Sequence, residues 1–161
     1  MAVAVFQQPN IQGEVLFNSK RGGVEVYAHF TKLPSGEHGF HIHKAGDLRG
    51  EGCKGACEHF DLTGSDHGGS PDTKSPRHTG DLGNIRGPQY TKTYFLKNLS
   101  VQELYGRSVI VHADPDDLGQ GSHDDSKTTG HSGARIGCAI IGRVSCEHQK
   151  GGRNRTRKQN H

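Results

Sequence analysis

The chain has 161 residues, 30% of them hydrophobic, with 24 glycines and no tryptophan, which bounds it to one domain with a modest apolar core and many turns. Its formal charge of +3 is not spread over the body: residues 147–161 hold Lys150, Arg153, Arg155, Arg157 and Lys158 against Glu147, so the tail carries +4 and residues 1–146 carry −1, which argues against a body built to bind nucleic acid. No apolar run reaches the roughly 20 residues of a membrane span, and the start, MAVAVFQQPN, lacks the basic region and long apolar segment of a secretory leader, so the expected location is cytoplasmic.

Runs rich in Val, Phe and Tyr at AVAVF, GEVLFNS and GVEVYAHF, between residues 2 and 30 and separated by QQPNIQ and KRGG, predict three strands joined by turns. Further strands are expected at 39–43, 91–96, 108–112 and 138–145, with a weaker candidate at 79–86. Between them lie two long irregular segments, 44–78 and 113–134, rich in Gly, Asp and His. Such loops count against an assignment unless they carry function, and these hold most of the histidines. The predicted fold class is all-β, an antiparallel sandwich or barrel of about eight strands. The domain is expected over 1–146. Beyond it, a disordered basic tail over 147–161 has no apolar residue to bury, and both a solvated role and contact with a polyanion or membrane surface stay open.

Three of the twelve histidines fall in HGFHIH, residues 38–43. Side chains alternate along a strand, so His41 and His43 share a face and form a chelating pair, while His38 is one step off and is expected to hydrogen-bond near the strand start. More candidates follow: His59 in CEHFD, His67 in HGGSPD, His78 and Asp81 in RHTGD, and His112 in IVHADPDD. Imidazole suits copper and zinc, and carboxylate oxygen also suits zinc. His67, His78 and Asp81 look like a tetrahedral zinc set short of one ligand, and His41, His43 and His112 like an open copper set. His59 could complete both through its two ring nitrogens, although spacing alone does not establish that bridge. The four cysteines allow three complete pairings, among which sequence does not choose.

HGFHIH, GCKGACEHF, HGG, RHTGDLGN, VIVHADPDDLGQG and GARIGCAIIG together resemble the successive motifs of the Cu/Zn superoxide dismutase family, over residues 1–144. The resemblance implies an eight-stranded Greek-key β-barrel, the sandwich architecture for which this family is a standard example. It implies copper on His41, His43, His59 and His112, zinc on His59, His67, His78 and Asp81, and Asp116 as the carboxylate that orients His41 and His67. The implied reaction converts two superoxide anions and two protons to dioxygen and hydrogen peroxide by alternate reduction and reoxidation of the copper, with zinc structural. His59 and Arg135 are the implied catalytic residues, the arginine guiding and holding the anion, and Thr129 narrows the channel with it. The implied disulfide is Cys53–Cys138, uncommon in the cytosol but accepted in this family, and by the chain-entropy model stabilising by about 4 kcal/mol.

The chain departs from the family pattern in two places. Lysines common in the loop appear as Asp114, Gln120 and Thr128, and residues 114–134 set five aspartates against Lys127 alone. Steering is therefore expected to rest on Arg135 and Lys127, or to be weaker than usual. Cys57 replaces a small residue just before His59 and is read, with Cys146, as a free thiol, the rival being its mispairing with Cys138. Gly46 and AIIG fall in the dimer contact of cytoplasmic members, so a homodimer is expected. Two other readings remain: a copper carrier of the same fold, which needs neither zinc ligands nor Arg135, and a zinc hydrolase, which lacks an obvious general-base carboxylate.

Overall fold

Alternation writes the first strand: in β1 (Ala2–Gln8) Ala2, Ala4 and Phe6 are buried while Val5 is 46% exposed, as period-two patterning requires when one face packs on a core. The computed structural model describes residues 1–151. β2 (Ile11–Lys20) and β3 (Gly23–Lys32) follow, then β4 (Glu37–His43), β5 (Asp81–Arg86), β6 (Tyr90–Lys97), β7 (Ser108–His112), β8 (Arg135–Ile140) and β9 (Gly142–Arg143). They form two antiparallel sheets, ordered β6-β3-β2-β1-β9 and β5-β4-β7-β8.

Of the two expected forms, sandwich or barrel, this is the sandwich, since the sheets do not join into a closed barrel. The run 138–145, expected as one strand, is broken. β8 pairs with β7 in one sheet and β9 with β1 in the other. Between them Ile141 exchanges backbone hydrogen bonds with Arg107 and Gly106, so the chain leaves one sheet there and enters the other. The weaker candidate at 79–86 is β5. Segments 44–78 and 113–134 hold no strand, and the first contains a short 3₁₀ stretch, Glu51–Ala56.

Phe6, Phe17, Phe30, Phe40, Ile42 and Tyr94 fill the space between the sheets. Phe30 packs on Phe6 at 5.1 Å and edge-on against Phe40 at 5.7 Å between centroids, the geometries aromatic quadrupoles prefer. Phe40 and Ile42 anchor one face of β4 in this core, which turns His41 and His43 to the other face.

The expected disordered tail begins instead in a helix, α1 (Cys146–Gly151), whose His148 N–H donates to Ser145 Oγ at 3.3 Å; an N-terminal serine supplies the acceptor that the first turn lacks. The rest of the basic tail, 152–161, lies outside the described residues.

Candidate metal centre

Strand order lines up the candidate side chains. In the four-stranded sheet, β4 pairs His41 with Asp81 of β5 on one side and with Ile110 of β7 on the other, and β7 places His112 opposite Arg135 of β8. His59 bridges to His43 from the loop. Register shifts at Gly39/His41 and Val111/His112 break both ladders at the site, as bulges do where a side chain is re-aimed. His38 lies off this face, buried, with its ring between the His112 and Pro34 carbonyls at 2.9 and 3.1 Å.

Two buried groups result. One is His41, His43, His59 and His112; the other is His41, His59, His67 and Asp81; in each, one ligand atom per residue lies within 4.8 Å of all the others. In the first group the protein ties up the outward ring nitrogen of three histidines. His41 Nε2 bonds Asp116 Oδ2 at 2.7 Å, His43 Nδ1 the Cys57 carbonyl at 2.8 Å, and His112 Nδ1 the Gly133 carbonyl at 3.1 Å. Three nitrogens therefore remain for the interior: His41 Nδ1, and the Nε2 atoms of His43 and His112, 3.4 Å apart. His59 turns Nδ1 to Asp81, and its Nε2, like His41 Nδ1, is buried without a hydrogen-bond partner. Unpaired buried polar atoms are rare, and an all-imidazole set fits copper.

On the other side Asp81 organises the donors. Its Oδ2 accepts the Gly68 and His78 backbone N–H groups at 3.0 and 2.8 Å, which leaves Oδ1 facing three Nδ1 atoms: His59 at 2.9, His67 at 3.0 and His78 at 3.4 Å. His67 Nδ1 has no partner of hydrogen-bond geometry. Three imidazoles and a carboxylate fit tetrahedral zinc. His78 falls outside the tighter group because it stands at the solvent side, 14% exposed, whereas His41 stacks on His59 at 4.0 Å between centroids. Arg77, which sequence reasoning missed, donates to the carbonyls of His78, Thr79 and Asp81 and so holds this turn. Nothing in its local sequence marks it.

Burial holds the His41, His43 and His59 imidazoles below their usual range and His112 at about 4, so these four present neutral rings at neutral pH. His67 is the exception. Burial opposes its charge, but the Asp116 and Asp81 carboxylates raise it to about 9. Asp81 lies well below the carboxylate range: burial works against its charge, and the facing imidazoles outweigh it. Asp116 is fully buried as a side chain, raised by that burial, and bridges the groups through His41 Nε2 and His67 Nε2, each at 2.7 Å. Gly130 passes so close that a Cβ there would collide with the Asp116 carboxylate and the His67 ring, at a φ of +70°. Only glycine meets both demands.

A disulfide joins Cys53 and Cys138, as expected, and Cys57 and Cys146 are free and exposed. Arg135 donates to the Cys53 carbonyl at 2.9 Å and the Cys57 carbonyl at 2.6 Å. The Cys57 carbonyl thus holds both His43 and Arg135. Cys57 does so at φ 62°, ψ −155°, a region essentially reserved for glycine. Cys57→Gly is therefore expected to raise stability by about 1 kcal/mol, read as a higher thermal midpoint at equal metal content. A lowered midpoint refutes the strain. Thr129 is held by Asp125, whose Oδ2 accepts from its hydroxyl at 3.3 Å and whose Oδ1 meets His131 at 2.7 Å. The Lys127 ammonium donates to the Gly119 carbonyl at 2.6 Å.

The family model for copper/zinc superoxide dismutase matches residues 11–141. The chain belongs to that family. A superoxide dismutase [Cu-Zn] of Paramecium bursaria Chlorella virus 1 is 43% identical over 148 residues, covering 88% of this chain and 77% of the relative. A putative superoxide dismutase [Cu-Zn] of Autographa californica nuclear polyhedrosis virus is 43% identical over 143 residues, 82% of this chain and 91% of the relative. Among solved structures, a crystal structure of the clock protein EA4 superposes with a TM-score of 0.77 at 35% identity, over 89% of this chain and 94% of that one. The Cu/Zn superoxide dismutase match spans every buried histidine and aspartate described above.

Proposed function

We propose that the domain over 1–146 is a copper/zinc superoxide dismutase, with copper held by His41, His43, His59 and His112 and zinc by His59, His67, His78 and Asp81. One observation carries this reading: two buried donor sets, one all imidazole and one with a carboxylate, share His41 and His59, with His59 Nδ1 turned to Asp81 and Arg135 opposite His112 in the ladder. Bound there, copper supplies two accessible oxidation states, so that one superoxide leaves as dioxygen and the next as hydrogen peroxide, while zinc, without redox chemistry, is structural. The chain's own groups do the rest. Arg135, held by two carbonyls, presents its cation to an incoming anion, and Thr129 narrows the approach beside it. His59, with Nδ1 turned to the zinc side at Asp81, would carry at Nε2 the proton that the reduced anion needs once Nδ1 is bound to zinc. Asp116 keeps His41 and His67 in the ring orientation that ligation requires.

The enzyme is further proposed to be a cytoplasmic homodimer. Exposed free thiols at Cys57 and Cys146 fit a reducing compartment, and no helix among the described residues is long and apolar enough to cross a membrane. Ile140, within AIIG, is 50% exposed, and Met1 and Val5 leave further apolar surface open, the kind of patch a second copy covers. Light scattering at a one-chain mass refutes the dimer.

Purified protein is expected to hold one copper and one zinc per chain and to dismute superoxide. Arg135→Ala is expected to lower the rate on the order of tenfold or more. Full metal loading without turnover favours a copper carrier instead; zinc without copper refutes both.

A further inference from the structure

The loop 113–134 poses a problem for anion capture. Its aspartates outnumber its one lysine, whose ammonium is directed to the Gly119 carbonyl. Lys44, the cation beside the other loop, is paired with Glu58 at 3.1 Å. The cleft that contains Arg135, about 450 Å³, is bounded by Gly133 and Ala134 on one side and by Glu51, Gly52 and Lys54 of the 3₁₀ stretch on the other. Lys54 is exposed and has no ion-pair partner within 4 Å among the described residues. It follows Cys53 in the chain, and the Cys53 and Cys57 carbonyls on either side of it are the two acceptors that hold the Arg135 guanidinium. The segment that aims Arg135 therefore also carries the second cation of the cleft.

We infer that Lys54 is a steering residue of this enzyme, and that a small monovalent anion is drawn in between Lys54 and Arg135. The inference rests on the assignment of Arg135 to anion capture. Glu51 in the same wall, and the Asp114 carboxylate packed against Gly133, oppose it in part, so two cations are set against two carboxylates around this cleft. Removing Lys54 leaves the balance negative. Charge at a channel mouth acts mainly on encounter rate and is screened by salt. In this arrangement the steering charge belongs to the disulfide-bonded loop, where the sequence alone directs attention to Lys127.

The test uses the full chain loaded with copper and zinc. Pulse radiolysis at several ionic strengths gives kcat/KM, and azide titrated against the visible copper absorption reads anion affinity without turnover. Lys54→Gln is expected to lower the low-salt rate about two- to fivefold, to flatten its salt dependence and to weaken azide. Lys54→Glu is expected to lower both further, Lys54→Arg to restore both, and Lys127→Gln to lower both less than Lys54→Gln does. A salt slope and azide affinity unmoved by Lys54→Gln overturn the inference, as does a loss that Lys127→Gln reproduces. If the parent holds both metals but never turns over, it is the dismutase reading that fails, and azide binding still reports on Lys54.

Discussion

Asp116→Ala is expected to lower the affinity for zinc, and for copper in the neighbouring group, on the order of 10- to 100-fold. The buried carboxylate is the one acceptor for two ring N–H groups, His41 Nε2 and His67 Nε2, and it also accepts the Leu118 N–H at 2.8 Å. Its backbone is clamped by Asn84, which accepts from Asp116 N at 2.7 Å and donates to its carbonyl at 2.9 Å. Without it two buried N–H donors lose their partner, at about 1–3 kcal/mol each, and both rings are free to turn or to change tautomer. Chelator competition measures the two affinities separately. Parent-like values for both would show that packing alone orients the rings. Loss of zinc only would confine the effect to His67.

Removing the disulfide is the second large effect. Cys53 and Cys138 close a separation of 85 residues, for which chain entropy predicts about 4 kcal/mol. In a chain of this size that corresponds to roughly 8–16 °C in the thermal midpoint. Cys138→Ser is best made in a Cys57→Ser background, since Cys57 is a free thiol on the same loop and could otherwise pair with Cys53. Activity is expected to fall at temperatures where the variant is still folded, because the Cys53 carbonyl that holds Arg135 loses its tether. Differential scanning calorimetry and the dismutation rate separate the two effects. A lower midpoint with an unchanged low-salt rate would mean that the loop holds Arg135 without the covalent bond.

Much of this centre is legible in the amino-acid sequence. Alternation in HGFHIH puts His41 and His43 on one face, and they are there, with Phe40 and Ile42 in the core behind them. His38, one step off, makes the hydrogen bonds expected of it. The strands that carry these residues announce themselves through local pattern, since a half-buried strand needs only its own period of two. The break at Ile141 does not, because CAIIGRVS reads as one apolar run and only its bonding to residues 106–107 shows that the chain changes sheets there.

Sequence alone carries the inventory: the seven donor side chains, the arginine, the aspartate behind them, and the strands and loops that hold them. How these parts face one another is a property of the folded chain. Folding set the order β5-β4-β7-β8 that lines up Asp81, His41, His112 and Arg135, and it joined Cys53 to Cys138 while leaving Cys57 and Cys146 free. It also turned Lys127 to a carbonyl while leaving Lys54 open on the cleft. The difference is one of range. Alternation and turn chemistry act over a few residues, but the hydrogen bonds that aim these groups join positions such as His41 and Asp116, 75 apart, or Arg135 and Cys53, 82 apart. A lysine's partner is whichever acceptor the folded chain brings within reach.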